Sequence, residues 1–489
     1  MKATTLSRVL HLTTAIPAMA GFSLSAATLC VSFESTHPVA PYATWETAAT
    51  NIQDAVDAAD AGDTVLVTNG VYAVGGREAA VFNTELGDWE SIGWSRVVVT
   101  NAIRLASVNG PLVTTVEGAQ PDENGEGAIR CVYLGTNAVL SGFTLTNGWN
   151  GAFGGTLDHC TLTRNYGGAG HATLYHCTLA GNSGGGAVNS TLYHCTLTGN
   201  TGRWFGGAHH STLYNCILTG NSSGMNEGGG ANGCTLYNCT VMGNHGGGAN
   251  GVLYNCLVAG NGGGTGGAEG VSGAGALYGC TVVGNNGGVW GTVFNSIVYY
   301  NTGGNYAEGT VFNFSCTTPL PTNGVRNITG PPLFMDMAAG DFRLREESPC
   351  IDAGTNVLGM SFTRWTGSND PETGEPIIVV EHITDPTDMV GNTRFIDGNG
   401  DGKVAWDIGA YEFNSFRPPR FSIAPQLTAD GWRLNITGAP NQLVWLQKSG
   451  DMRTWEDLWP PIFMGEAGVG QVNDSHTSQK AMFYRVVVP

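Results

Sequence analysis

Charged residues are scarce in this 489-residue chain, at 12% of the sequence, which is about half of the usual share. No lysine occurs between Leu140 and Cys316. The acidic excess gives a net charge of −18, which argues against nucleic-acid phosphates and anionic membrane surfaces as partners. Long apolar runs are also missing beyond the N-terminus, so no segment is predicted to span a membrane.

The N-terminus is typical of an export signal. Lys2 and Arg8 precede a weakly apolar run over 9–20, and residues 18–20 (AMA) have the small-x-small pattern of a cleavage site. A second candidate end lies a few residues later. We therefore predict a signal peptide over 1–27 and a mature protein that is secreted or held at the cell surface.

Glycine is abundant, with 74 residues, and the sequence repeats itself. Ten units share one signature and follow each other at steps of 16 to 24 residues. Helical repeats would need an apolar period of 3.6 residues and few glycines, so the pattern predicts a β-type solenoid. The units begin at Leu140, Leu157, Leu174, Leu192, Leu213, Leu236, Leu253, Leu277, Val293 and Val311.

Within a unit the apolar residues occupy positions +0, +3 and +5, for example Leu174, Cys177 and Leu179. Positions +3 and +5 are two residues apart and so point to the same face of a strand, whereas position +0 would point to the opposite face. A bend at 175–176 must therefore bring all three side chains inward. A glycine-rich stretch such as 184–188 would supply a third short strand. Three strands per turn predict an all-β chain folded as a right-handed parallel β-helix.

The units resemble the pectate-lyase-like right-handed parallel β-helix repeat. The sequence motif CTLTGN…GGA is similar to that of polymorphic outer-membrane and choice-of-anchor type exported bacterial proteins. Residues 50–72 resemble the N-terminal helical cap of such proteins, and 341–356 with 407–413 resemble the segment that ends them. The resemblance implies this fold, which carries lyases, hydrolases, adhesins and passive surface proteins alike.

These patterns divide the chain into five parts after the signal. We predict a cap and first coils over 28–130, regular repeats over 131–340, an end segment over 341–413, a linker over 414–420, and a small β-sandwich over 421–489. Four tryptophans of the last part could form a sugar-binding surface, although core packing is the favoured interpretation. They are Trp432, Trp445, Trp455 and Trp459.

Twelve cysteines in an exported protein would ordinarily suggest disulfides. Most of them form the +3 column, in which a solenoid would stack the thiols so that all point the same way. Free thiols that fill inward positions are the favoured interpretation; vertical disulfides or a metal site are the alternatives. The column contains Cys160, Cys177, Cys195, Cys216, Cys239, Cys256 and Cys280, followed by Ser296.

The +2 column begins with His159, His176 and His194 and continues mainly with asparagines as far as Asn313. Asparagine suits a tight bend, and stacked amides can bond each other along the solenoid axis. The three histidines should be near neighbours and could bind a metal. We favour the bend interpretation, because the row is linear and shared with asparagine.

The +1 column is aromatic, from Tyr175 to Tyr278 and then through Phe294 and Phe312. Such a column is expected to stack on itself along the wall of the solenoid. If its rings are exposed, it could also hold sugar rings.

All extra length in the longer units is inserted after the +8 asparagine, so the loops should emerge along one edge and flank a groove. Arg203, Trp204 and Phe205 in the first long loop are candidate ligand-binding residues. Glu227 and Glu269 are the candidate catalytic pair, two turns apart and so about 10 Å from each other. Chance placement in glycine-rich loops is the favoured explanation of that pair.

A possible calcium loop lies outside the repeats, over 397–407. Asp397, Asn399 and Asp401 alternate and Asp407 follows, which are oxygen ligands at a spacing that suits structural calcium. The closing acid stands one position earlier than in an EF-hand, and a simple Asx-Gly turn is the alternative. No other cofactor is predicted.

The sequence favours a non-catalytic surface or extracellular protein that acts in adhesion or glycan contact. Its expected partner is an extracellular polysaccharide or cell-surface glycan, and a monomer is expected. The alternative is a polysaccharide lyase or glycoside hydrolase, and a passive scaffold is the third possibility. Carboxylates converging in a groove would favour the enzyme, whereas an aromatic-lined side would favour the contact protein.

Overall fold

The structure is a computed structural model, which describes part of the chain. Among these residues no helix is long and apolar enough to cross a membrane. Most of the predicted signal peptide lies outside them. The described ranges are 26–83, 88–122, 126–224, 228–263, 270–356, 361–369, 376–382, 387–399, 401, 403–413, 420–421, 426–428, 431–437, 443–450, 454–463, 469–474 and 483–487.

Each turn of the solenoid contributes short strands that pair in parallel with their equivalents in the neighbouring turns. The first ladder contains Thr28–Val31, Thr64–Val67, Arg104–Ser107, Val139–Ser141, Thr156–Asp158, Thr173–Tyr175, Thr191–Tyr193, Thr212–Tyr214, Val311–Asn313 and Gly324–Val325. The second ladder contains Gly70–Tyr72, Thr114–Glu117, Thr144–Thr146, Thr161–Thr163, Thr178–Ala180, Thr196–Thr198, Ile217–Thr219, Thr240–Met242, Leu257–Ala259, Thr281–Val283, Ile297–Tyr299 and Cys316–Thr317.

The third ladder carries the glycine-rich strands Asp88–Val99, Ile129–Leu134, Asn150–Phe153, Gly167–Gly170, Ala187–Val188 and Ala208–His209. In later turns its strands continue into the first ladder as Ala231–Tyr237, Ala249–Tyr254, Val271–Tyr278 and Val289–Phe294. Parallel crossovers are right-handed in nearly all proteins. The predicted right-handed parallel β-helix is confirmed, with twelve described strands in its second ladder.

The bend that the repeat requires is present in each regular turn. His176 has a φ of 51°, in the left-handed region, directly after the strand Thr173–Tyr175. Leu174, Cys177 and Leu179 are consequently all buried. The left-handed bend thus turns positions +0, +3 and +5 into one continuous core, as the parity of the sequence predicted.

The last repeat is shifted by one residue from its predicted alignment. Val293 pairs with Phe312 rather than with Val311, and Phe312 is fully buried. Phe312 therefore belongs to the core and not to the aromatic column, and Phe314 instead of Asn313 occupies the bend, with a φ of 51°. The larger apolar side chain fills the inward position, which the alignment had assigned to valine.

Amide stacking occurs in the +8 column and not in the +2 column where it was predicted. From Asn182 onward, each buried +8 asparagine accepts hydrogen bonds from the backbone N–H and the side-chain amide of the asparagine one turn earlier, as Asn221 does from Asn200 at 3.0 and 2.9 Å. The column is Asn165, Asn182, Asn200, Asn221, Asn244, Asn261, Asn285 and Asn301. The +2 residues instead occupy the left-handed bends.

All twelve cysteines are buried free thiols, so the favoured interpretation of the +3 column is confirmed. The thiols also accept hydrogen bonds along the axis, because the backbone N–H of Cys160 donates to Sγ of Cys177 at 3.4 Å. The same bond recurs from Cys177 to Cys195. Cysteine thus fills volume and satisfies backbone donors at the same time.

We expect none of the twelve thiols to react with iodoacetamide in the folded protein, and all twelve to react after denaturation without reductant. Burial excludes the reagent and raises the pKa of Cys131 and of Cys234 to about 12, which suppresses the reactive thiolate. Intact-mass spectrometry counts the adducts. Vertical disulfides would withhold two thiols each, and such a deficit would contradict the structure.

The predicted N-terminal helix is present over Ile52–Ala58. The side chain of Asn51 accepts from the backbone N–H of Asp54, which caps its first turn. Ile52, Ala55 and Val56 are buried in the solenoid core. That this helix closes the end of the solenoid stays a prediction.

Antiparallel hairpins accompany the parallel ladders, and one of them is formed with the strand Asp88–Val99 of the third ladder. The hairpins are Arg77–Asn83 with Asp88–Val99, Phe334–Asp336 with Asp341–Leu344, and Ser361–Asn369 with Pro376–His382. A separate pair of two-residue strands, Thr201–Gly202 and Ser222–Ser223, is parallel and lies at the loop edge.

The C-terminal part is a small sandwich of two antiparallel sheets that share an apolar core. One sheet has Arg420–Phe421, Gln426–Thr428, Gly431–Thr437 and Val469–Asp474; the other has Leu443–Ser449, Glu456–Phe463 and Phe483–Val487. The ring of Trp455 lies 4.3 Å from the guanidinium of Arg485. The boundaries assigned to the five parts of the chain stay predictions.

Candidate functional site

Exposed aromatic rings gather where the chain leaves the +8 column. Trp149 and Tyr166 stand at the +9 position of consecutive turns, and their rings stack at 4.2 Å with an angle of 3°. Their exposed fractions are 37% and 43%. Together with Trp204 and Phe205 they form a surface that we call the aromatic edge.

Glycines allow the aromatic edge to pack tightly. A Cβ on Gly184 would come within 2.7 Å of the Tyr166 ring, so the ring lies directly on the backbone of the next turn. Gly185, at a φ of 113°, lies in the same way against the ring of Phe205. Tyr166 and Phe205 therefore flank one dipeptide and belong to one continuous surface.

The structure separates the roles of the three residues predicted to bind a ligand. Phe205 is partly buried and stacks on the ring of His209 at 4.8 Å, so it anchors the loop. Trp204 is 51% exposed, and the guanidinium of Arg203 lies 5.3 Å from its ring centre. Trp204 and Arg203 are thus presented to solvent, where a ligand can reach them.

A row of rings continues beside the edge on the outer face of the third ladder. Phe153 contacts His171 at 4.9 Å, and His209 stacks on His210 at 3.9 Å. Burial, helped by the neighbouring His210, lowers the pKa of His209. The lowered pKa favours the neutral form of the His209 imidazole.

The candidate catalytic pair, Glu227 and Glu269, lies outside the described residues. The described carboxyl groups with raised pKa values belong to the end segment, where burial raises the pKa of Asp407 to about 7 and that of Glu412 well above its usual value. Among the described residues, no carboxyl group with a shifted pKa lies on the aromatic edge.

The predicted calcium residues take part in local hydrogen bonds. Asp407 is fully buried and accepts from the backbone N–H groups of Asp352 and Phe413. Asp397 and Asn399 accept from the backbone N–H of Asp401 at 3.1 and 2.9 Å, as in an Asx turn. The calcium loop stays a prediction.

The +1 column forms the predicted aromatic stack, with successive tyrosine rings about one strand spacing apart. Tyr175 lies 4.9 Å from Tyr193, which lies 4.8 Å from Tyr214. Tyr175 is exposed, whereas Tyr254 and Tyr278 are buried near the end segment. The early rings already contact each other face to face, so mainly their edges remain for a ligand.

The three histidines of the +2 column also stack, with centroid distances of 4.8 Å from His159 to His176 and 5.4 Å from His176 to His194. Asp158 lies beside the first two of them. Sequence reasoning considered a metal site on these three histidines but did not connect Asp158 with them. It also overlooked Trp149 and Tyr166, whose shared +9 position was the available signal.

No protein-family model and no curated protein sequence matches the chain. The structure is similar to that of the pectate lyase Pel9A, at 14% identity and a TM-score of 0.40, covering 80% of this chain and 98% of that one. It is also similar to XylC in complex with xylose, at 9% identity and a TM-score of 0.41, covering 79% and 98%.

A further similarity is to the A-module of the mannuronan C-5 epimerase AlgE6 of Azotobacter vinelandii, at 14% identity and a TM-score of 0.31, covering 58% of this chain and 95% of that one. At such identities and scores these likenesses carry no argument about activity.

Proposed function

We propose that this is an exported, non-catalytic protein that contacts a glycan, either an extracellular polysaccharide or a cell-surface glycan, through the aromatic edge. The observation that carries the proposal is the set of exposed rings of Trp149, Tyr166 and Trp204 on one side of a rigid solenoid. An exposed apolar patch on a soluble protein commonly marks a contact site. The apolar faces of sugar rings pack well on indole and phenol rings.

The dimensions of the edge suit an extended ligand. Trp149 and Trp204 belong to turns three apart, which is about 14 Å along the solenoid axis at the usual strand spacing. Tyr166 lies between them in sequence and contacts the backbone of the intervening turn. A linear glycan lying along the axis would meet these rings in succession.

The edge is also built so that little ordering is needed on binding. Tyr166 is held between Trp149 and Gly184, and the loop of Trp204 is anchored by Phe205. Preorganised rings lose little conformational entropy when a ligand binds. Arg203 beside Trp204 adds a hydrogen-bond donor for hydroxyl or carboxylate groups.

We expect Trp204→Ala and Tyr166→Ala each to weaken binding to a retained polysaccharide at least about tenfold, the equivalent of about 1.4 kcal/mol. The ligand is first identified by affinity electrophoresis against plant, algal and bacterial polysaccharides. Trp45→Ala is the matched control, because Trp45 is 43% exposed but lies outside the aromatic edge. It should bind as the unmodified protein does.

Two results would contradict the proposal. Equal losses in the Trp45 and Trp204 variants would show that the edge is not the contact surface. Release of reducing ends or unsaturated uronates, abolished by Glu227→Gln, would replace glycan contact with a hydrolase or lyase activity.

A further inference from the structure

We propose that Asp158, His159 and His176 form a binding site for one divalent transition-metal ion of the zinc, nickel or copper class. The site lies on the outer surface of two consecutive turns, at the start of the +2 column. It is separate from the aromatic edge and from the predicted calcium loop.

The potential ligand atoms are already close together. Nδ1 of His159 lies 2.6 Å, and Nδ1 of His176 3.7 Å, from Oδ1 of Asp158. One ligand atom from each of the three residues lies within 4.8 Å of the other two. Ligands bound to one zinc ion at about 2.0–2.2 Å are at most about 4 Å apart, so only small side-chain rotations are needed.

The backbone fixes the two imidazoles relative to each other. His159 and His176 have φ values of 50° and 51° at equivalent bends of adjacent turns. The parallel register Thr156↔Thr173 and Asp158↔Tyr175 directly precedes both bends. Because the solenoid sets this spacing, binding does not have to order a flexible loop.

The carboxylate of Asp158 is itself held by hydrogen bonds from neighbouring side chains. Oδ2 of Asp158 accepts from the hydroxyl of Ser141 at 3.4 Å, and Ser141 also accepts from Arg104 at 3.3 Å. Such outer contacts orient ligating groups and commonly tune metal affinity. Oδ1 of Asp158 faces the histidines.

The residues of the +1 and +2 columns at the proposed site differ from those in the rest of the solenoid. Later turns carry an aromatic residue, mainly tyrosine, where Asp158 stands, and the turns after His194 carry mainly asparagine where His159 and His176 stand. Asparagine serves the same left-handed bend, for example at Asn215 with a φ of 54°. The fold therefore requires neither the carboxylate nor the imidazoles here, and together they are a metal-ligand set.

The ligand set also selects the class of ion. Two imidazoles and one carboxylate suit zinc, nickel and copper, whereas calcium and magnesium prefer oxygen ligands alone. The side chains of His159 and His176 are 64% and 50% exposed, so the ion can enter from solvent and keep water at its open positions. Bound metal would link two turns and stabilise the folded state.

The test is isothermal titration of untagged, chelator-washed protein with zinc chloride, without glycan. We expect one ion per chain, and at least about tenfold weaker binding for His176→Asn and for Asp158→Asn. His176→Asn preserves the bend, because asparagine occupies that position in later turns. His194→Asn is the matched control: it removes the next ring of the same row and should leave zinc affinity unchanged.

Circular dichroism and thermal melting without metal should show that each variant is folded. Zinc should raise the melting temperature of the unmodified protein and of the His194 variant, but not that of the His176 variant. Absence of zinc binding would overturn the proposal. So would unchanged binding in a His159→Asn/His176→Asn double variant, or an equal loss in the His194 variant. Because no glycan is present, these outcomes are independent of the proposed function.

Discussion

Replacing Asn221 by alanine is expected to lower the free energy of unfolding of the central turns by about 3–5 kcal/mol. The buried side chain accepts from the backbone N–H and side-chain amide of Asn200 and donates to the carbonyl of Leu197 and to Asn244, at 2.9–3.0 Å. Alanine removes all four bonds and leaves buried polar groups without hydrogen-bond partners, each at a cost of about 1–3 kcal/mol. Denaturant titration followed by hydrogen exchange measures the loss.

Asn215→Ala is the matched control, because it is the same substitution at an exposed bend of the same turn. It replaces a residue with a φ of 54° and should cost about 1–2 kcal/mol through the left-handed backbone alone. Solenoid stability is largely a sum over neighbouring turns, so the Asn221 effect should be strongest in the turns that contain Asn200 and Asn244. Similar losses in both variants would contradict a structural amide ladder.

Arg394→Met is expected to destabilise the end segment by about 3–5 kcal/mol, because it leaves a buried carboxyl group without its cation. Arg394 is fully buried and donates to Glu412 at 3.3 Å and to Asn255 in the β-helix at 3.2 Å. It also donates to the carbonyl of Gly409 at 2.9 Å. Limited proteolysis and thermal melting should show earlier release of the end segment.

Combining Glu412→Gln with Arg394→Met tests this explanation. Glutamine keeps an acceptor for the backbone N–H of Asp407 but cannot carry the negative charge. The double variant should recover about 1–2 kcal/mol of the loss. Arg343→Met is the control for removing an arginine from the same segment, since its pair with Asp341 is partly exposed and contributes about 0–1 kcal/mol. If that control were as unstable as the Arg394 variant, the buried pair would not be the cause.

The repeat signature alone determined the solenoid. Leu174, Cys177 and Leu179 fix which side chains face inward, since a one-residue change of strand parity would expose them. The left-handed bend at His176 and the free thiols could be predicted for the same reason. Where the signature weakens, at Val311 and Phe312, the prediction failed by one residue because only packing decides which apolar side chain fills the core.

The amide ladder shows a limit of the same reasoning. Both the +2 and the +8 columns contain asparagines, and the sequence does not say which of them is buried. The structure buries Asn221 and leaves Asn215 at an exposed bend. Burial decides the matter, because only an amide removed from water must bond its neighbours.

The sequence by itself determined the class of fold, the inward columns and the edge from which the long loops emerge, because each follows from a period that local strand geometry imposes. Only the tertiary structure decided which residues of different parts of the chain contact each other. Examples are the ring of Tyr166 on Gly184, Asp158 with His176, and Arg394 with Asn255. These pairs are distant in sequence, and their spacing depends on the length of each turn and on the twist of the coil. A repeating sequence therefore specifies the wall, whereas the contact surface and the proposed metal site arise from how successive turns stack.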